Sequence, residues 1–103
     1  MTYCSLDDVK ARLSIDPSDT SYDQELQDLI AEAQTIIDEK LEAELGQVPF
    51  DESNVPDIVR YACADIAAGL FRTRREPKAK DAFYELGIEK LGYYIQSQGR
   101  ILT

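Results

Sequence analysis

The sequence predicts an all-α fold, a compact bundle of about four helices with a long second helix. Apolar residues recur at steps of three and four in four separate segments, the spacing that gives a helix one buried face. Cap and break residues part those segments: Ser5, Asp16-Pro17, Gly46, Val55-Pro56 and Glu76-Pro77. No stretch alternates apolar and polar residues between hairpin turns, and no segment repeats another.

The first helix opens at Ser5. A serine hydroxyl caps the free N–H groups of a first turn, and Asp7 and Asp8 suit the positive end of the helix dipole. Leu6, Val9 and Leu13 share a face, and the helix ends near Leu13 or Ser14. Asp16-Pro17-Ser18-Asp19 is a turn, because Asp and Pro favour turn geometry. Thr20 or Ser21 is the expected cap of the second helix, with Asp23 or Gln24 as its capping-box partner. Its stripe runs through Tyr22, Leu26, Leu29, Ile30, Ala33, Ile37 and Leu41 to Leu45, where Gly46 stops it. At 1.5 Å per residue such a rod is roughly 35 Å long.

Residues 47–54 are a loop whose apolar Val48 and Phe50 imply docking on the core. Pro56 starts the third helix, where its missing N–H costs nothing. Val59, Ala62, Cys63, Ile66, Ala67, Leu70 and Phe71 form its stripe. Its small residues, Ala62, Ala64, Ala67, Ala68 and Gly69, make it slim enough to sit at the centre of a bundle. Arg72-Thr73-Arg74-Arg75 closes it, positive charge meeting the negative end of the dipole. The fourth helix is expected from about Lys78, with Ala82, Phe83, Leu86, Leu91, Tyr94 and Ile95 on its buried face. Gly87 and Gly92 are its weak points, and Gly99 its C-cap.

At 103 residues the chain is read as one helical domain over 1–103, with a short tail at 99–103 that exposes Ile101 and Leu102. No apolar run nears the ~20 residues that span a bilayer, so no membrane partner is expected. The N-terminus lacks the basic and apolar parts of a signal peptide, which points to a cytoplasmic site of synthesis. Cys4 and Cys63 have no metal-ligand spacing and read as free thiols in a reducing compartment, Cys63 as core.

There is no histidine. The usual catalytic and zinc-binding constellations are thereby missing, and no glycine-rich phosphate loop replaces them. Carboxylates alone are a poor basis for an enzyme, so neither catalytic residues nor cofactors are assigned. Asp16, Asp19 and Asp23 suggest a calcium loop, but the spacing, the central glycine and the late glutamate of an EF-hand are absent. A turn followed by a helix start accounts for them.

Charge supplies the positive signal. Eleven basic against twenty acidic residues leave a net charge of −9, which repels nucleic acid over most of the surface. The second helix carries Glu25, Asp28, Glu32, Asp38, Glu39, Glu42 and Glu44 against Lys40 alone. Arg72, Arg74, Arg75, Lys78 and Lys80 cluster around the turn between the third and fourth helices. That cluster is either a cap with a solvated turn or a docking patch. An acidic face and a basic corner on one molecule suit head-to-tail contacts between copies, which close into a ring when the rotation permits. Tyr84 and Tyr93 fall off the fourth stripe, as interface aromatics do.

The pattern also resembles a known family. The residues concerned are Leu6-Asp7-Asp8-Val9-Lys10-Ala11-Arg12-Leu13 before an Asp-rich turn, the long helix around Leu26, Leu29-Ile30-Ala31-Glu32-Ala33 and Ile36-Ile37-Asp38, and Val55-Pro56 leading to Ala62-Cys63, Ala67-Ala68 and Leu70-Phe71-Arg72-Thr73-Arg74. Over roughly residues 3 to 95 they resemble the small head–tail connector (adaptor, or head-completion) proteins of tailed bacteriophages and their prophage relatives. The resemblance implies a non-enzymatic structural virion protein at the head–tail junction, made in the host cytoplasm. It implies a ring homo-oligomer beneath the portal protein that extends the DNA channel, with a tail or stopper protein as the next partner. DNA would pass without specific binding. Glu39, Glu42, Glu44, Asp51 and Glu52 are then candidates to face the channel, and Arg72, Arg74, Arg75, Lys78 and Lys80 to meet a subunit or the portal. The competing reading is a small helical nucleic-acid-binding or regulatory protein that uses the Arg72–Lys80 corner.

Overall fold

The computed structural model describes residues 2–77 and 81–99, with only the backbone of Glu52 and Gly99. Four α-helices account for nearly all of them: α1 (Leu6–Leu13), α2 (Asp23–Leu45), α3 (Asp57–Arg75) and α4 (Ala82–Gly99). A single 3₁₀ turn, Glu52–Asn54, interrupts the loop between α2 and α3. No strand occurs among the described residues, so the all-α expectation holds.

The helices begin and end for local reasons. Ser5 and Asp8 form a reciprocal capping box, with Asp8 N–H donating to Ser5 Oγ at 3.1 Å and Ser5 N–H to Asp8 Oδ2 at 3.0 Å. At the end of α2, Gly46 takes φ +63°, the left-handed turn that a residue with a Cβ adopts at a cost. Pro56 is the N-cap of α3, immediately before its first helical residue. Asp81 Oδ1 accepts the N–H groups of Phe83 at 2.9 Å and Tyr84 at 3.2 Å, so α4 starts at Ala82 and not near Lys78.

The start of α2 differs from the expectation in kind. Neither Thr20 nor Ser21 caps it; Tyr22 stands at the N-cap with φ −109° and ψ 5° and makes no side-chain cap bond. The turn before it is organised from elsewhere. Asp16 Oδ1 accepts Ser18 N–H at 2.9 Å, and Asp19 Oδ1 accepts Ser21 N–H at 2.9 Å. The Lys10 side chain, only 3% exposed, reaches in from α1. Its ammonium donates to the carbonyls of Pro17 at 3.3 Å and Asp19 at 2.8 Å, and stands 2.7 Å from Asp23 Oδ1. A lysine ammonium therefore supplies the positive charge that the calcium reading of Asp16, Asp19 and Asp23 would have placed here.

α3 is the spine. Every residue from Ala62 to Gly69 is buried, a run of two full turns enclosed on all sides. α4 has the most extensive contact with it, then α2, then α1. The α2 stripe of Leu26, Leu29, Ile30, Ala33, Ile37 and Leu41 is fully buried against this spine, with Val9 from α1. Tyr22 stands apart from that stripe, 39% exposed, with its ring edge on Phe71. Phe50 docks the α2–α3 loop between Tyr3 and Tyr94, ring centroids 5.7 Å from each, whereas Val48 points outward. Tyr3 is buried; its hydroxyl donates to Asp38 Oδ1 at 2.6 Å and accepts the Phe50 N–H at 3.0 Å. Burial, then the Asp38 hydrogen bond, push its pKa up to about 12. Cys4 and Cys63 are both free and buried, and the Cys4 neighbour, then burial, hold the Cys63 thiol far above its ordinary range.

Glycine sets how close α3 and α4 come. A Cβ on Gly69 would lie 2.6 Å from Tyr84 N, and one on Gly87 would lie 2.6 Å from Ile66 Cγ1 and 2.9 Å from the Ala62 carbonyl. Gly87 is thus a packing surface and not the weak point that helix propensity suggests. The register that puts Gly87 on α3 turns Leu86 outward, 44% exposed, against the expected face. Nothing lies within 4 Å of a Cβ at Gly92.

One charged group is built into this centre. Asp65 on α3 is buried, and its two carboxylate oxygens take Arg12 Nε from α1 and Lys90 Nζ from α4, the latter at 2.6 Å.

Three outcomes follow for unfolding by urea. Gly87→Ala should destabilise by about 1–3 kcal/mol, because backbone and Ile66 must move, whereas Gly92→Ala should be neutral or stabilise by up to ~1 kcal/mol. Asp65→Ala should cost about 3 kcal/mol or more, since two cations lose their buried partner; a change under ~1 kcal/mol would show the triad to be incidental.

Candidate assembly surface

The basic corner forms where α3 ends. The guanidinium groups of Arg74 and Arg75 turn back onto α2. Arg75 makes a two-pronged bond to Glu25, at 3.1 and 3.0 Å, and donates to the Phe71 carbonyl at 3.1 Å. Its guanidinium carbon lies 3.6 Å from the centre of the Phe71 ring. Arg74 stands 3.8 Å from Glu25 and from Glu32. Arg72 pairs with Asp81 at 3.1 Å and lies over Phe83. The acidic helix and the basic corner, complementary in sequence, therefore meet within one chain. All three arginines stay exposed, so one side of each remains open to a partner. Lys78 and Lys80, the other members of the cluster, lie outside the described residues, as do residues 100–103 of the tail.

The same pairing recurs across the molecule. Of the 11 Lys and Arg in the chain, Lys78, Lys80 and Arg100 lie outside the described residues. Each of the other eight stands at ion-pair distance from a carboxylate: Lys10, Arg12, Lys40, Arg60, Arg72, Arg74, Arg75 and Lys90. The acids outnumber them, and most of the described surplus is exposed.

Glu39, Glu42, Glu44 and Asp51 lie together in the chain at the C-terminal end of α2 and the loop that follows, all exposed. Glu44 has Lys40 at 3.7 Å, one helical turn away. Asp51 caps the 3₁₀ turn through Ser53, whose backbone and hydroxyl hydrogen bonds hold its carboxyl below the usual range. The side chain of Glu52 is outside the described set. Tyr93 is exposed, its hydroxyl donating to Glu89 at 2.7 Å, while Tyr84 is half-buried.

Two charged sites carry no pattern that periodicity detects. Lys10 and Asp65 are buried ions in amphipathic helices. The signal available for each was position alone: Asp65 interrupts the alanine-rich run of α3, and Lys10 stands beside Val9 just before the Asp-rich turn.

No cluster of His, Cys, Asp and Glu suited to a metal occurs among the described residues, and no described helix is long and apolar enough to cross a membrane. A scan of protein families matches residues 3–86 to the phage gp6-like head-tail connector proteins. The chain belongs to that family. Comparison with curated proteins gave no match, and neither did comparison with solved structures. The matched region spans α1, α2, α3 and the first turn of α4. The connector is thus a structural component of the phage particle, and its working surfaces are those that meet head and tail components.

The corner's internal pairing can be measured. A double-mutant cycle on Arg75→Ala and Glu25→Ala should return a coupling of about 0.5–1 kcal/mol, the range of exposed pairs. Arg75→Ala should cost more than Glu25→Ala, because it also uncovers Phe71. The hydrogen bond from Arg75 holds the Glu25 carboxyl below its ordinary 4.5. A lowered carboxyl stabilises the fold above that ordinary value and ceases to do so as pH falls through the lowered one. The stability gap between wild type and Glu25→Gln should accordingly be full at pH 7 and shrink as pH falls below 4.5.

Proposed function

We propose that this connector assembles with copies of itself into a ring beneath the portal of the filled head. The ring lengthens the DNA channel and offers a surface to the tail or to a stopper protein. Each subunit acts as one helical domain, made in the host cytoplasm and placed at the head–tail junction. DNA passes through without specific binding.

The observation that carries this reading is the pairing of all eight described cations within the chain, on a protein of net charge −9. A conduit has to repel the phosphates that move through it, and a wall of carboxylates without open cations does so at close range. Glu39, Glu42, Glu44, Asp51 and Glu52 face the channel in this reading. Arg72, Arg74 and Arg75, with Lys78 and Lys80, face a neighbouring subunit or the portal. The arginines are already fixed by Glu25, Glu32 and Asp81, so they lose little further side-chain freedom on docking.

The pairing also weighs against the nucleic-acid-binding alternative. A phosphate that approaches these arginines meets the carboxylates beside them.

Size-exclusion chromatography with light scattering, followed by negative-stain imaging with and without portal, tests the ring. Rings, alone or on the portal, are the expected result. A strict monomer that ignores the portal would sink the proposal. In a gel shift with duplex DNA at modest protein concentration no complex should form; a salt-sensitive shift would favour the alternative.

A further inference from the structure

The outer side of the α3–α4 pair holds a groove of about 710 Å³. Its floor is apolar, built from Leu70 on α3 and Tyr84 and Ile88 on α4. Thr73 on α3 and three acids also line it: Asp81, nearly buried and held by Arg72, and Glu85 and Glu89 on α4, both exposed. The floor residues are only half-buried, each packed on the core from one side. An apolar floor beside exposed acids fits a short segment that carries large aliphatic side chains next to a cation.

The chain supplies one such segment. Every described cation is held by a carboxylate of its own chain, which leaves Lys78, Lys80 and Arg100. Lys78 and Lys80 flank only Ala79, which offers little apolar surface. Arg100 is followed at once by Ile101 and Leu102.

The segment cannot fill the groove of its own molecule. Gly99 ends α4, and Ile88 and Tyr84 lie eleven and fifteen residues before it on the same helix. At 1.5 Å per residue they are about 16 and 22 Å away. The three residues from Gly99 to Leu102 reach about 11 Å even when fully extended.

We propose that Arg100, Ile101 and Leu102 of one copy dock in the α3–α4 groove of a second copy. Ile101 and Leu102 lie on Leu70, Tyr84 and Ile88, and Arg100 meets Glu89. The contact is head-to-tail, so repetition of one rotation closes it into a ring. The inference rests on the self-assembly proposed above and names one of its interfaces.

Cysteine pairing tests it in the full chain. Leu102→Cys and Ile88→Cys chains, mixed under mild oxidation, should form a disulfide-linked heterodimer; Leu102→Cys mixed with Thr35→Cys, on the exposed side of α2, should not. The native Cys4 and Cys63 are buried and stay out of the reaction. Leu102→Asp should weaken self-association about ten- to a hundredfold. Arg100→Glu and Glu89→Arg should each weaken it about two- to fivefold, and the double variant should regain the loss. If wild type associates while the cysteines fail to link and Leu102→Asp changes nothing, the groove contact is wrong and the ring stands. A link that forms faster within a chain carrying both cysteines than between chains overturns the second-copy assignment. If wild type stays monomeric at every concentration, with and without portal, both ideas fall.

Discussion

The Asp65 carboxylate is the constraint on which the arrangement depends. It sits in the middle of α3, buried, and each oxygen is taken by a cation from a different helix. A carboxylate in such a place costs several kcal/mol to desolvate, and only well-placed partners offset that cost. The offset requires α1 and α4 to lie on α3 at one register each. Alanine and glycine then let them come close: Gly69 and Gly87 remove the Cβ atoms that would hold α3 and α4 apart. Apolar burial makes the bundle compact, and the buried ions specify which compact arrangement forms.

Charge inside and charge outside belong to one design. Lys10 ties the turn between α1 and α2, Asp65 ties three helices, and Arg75 ties the end of α3 to the start of α2. Each positive group that joins two elements is neutralised by doing so. The net charge that remains is acidic. The stability of the fold and the proposed repulsion of phosphates thus draw on the same pairing, in which each of the eight described basic residues stands beside a carboxylate.

The helices were legible because stripes and caps are local. Ser5, Gly46 and Pro56 act as their types dictate, and the α2 stripe from Leu26 to Leu41 is buried as its spacing requires. The family was legible in the α1 phrase and the Val55-Pro56 start of α3. Periodicity failed where a tertiary contact overrides it. Gly87 reads as a flaw in α4 until Ile66 is seen against it, and Leu86 reads as core until the glycine claims that face. For the assembly surface, the acidic helix and the basic corner were both evident as charge runs. Their contact within one chain was not, because it joins Glu25 to Arg75 across fifty positions.

The start of α2 shows what this implies for folding order. Its N-cap, Tyr22, makes no side-chain cap bond, and the groups that hold its first turns are Lys10 from α1 and Arg75 from α3. A helix end of this kind has little intrinsic tendency to form in an isolated segment. It gains order when its neighbours arrive. The α3–α4 pair, joined by a short connection and closely interlocked, is suited to form first. The first turns of α2 are thus a latch fastened from two sides, ordered by contacts that only the assembled bundle supplies.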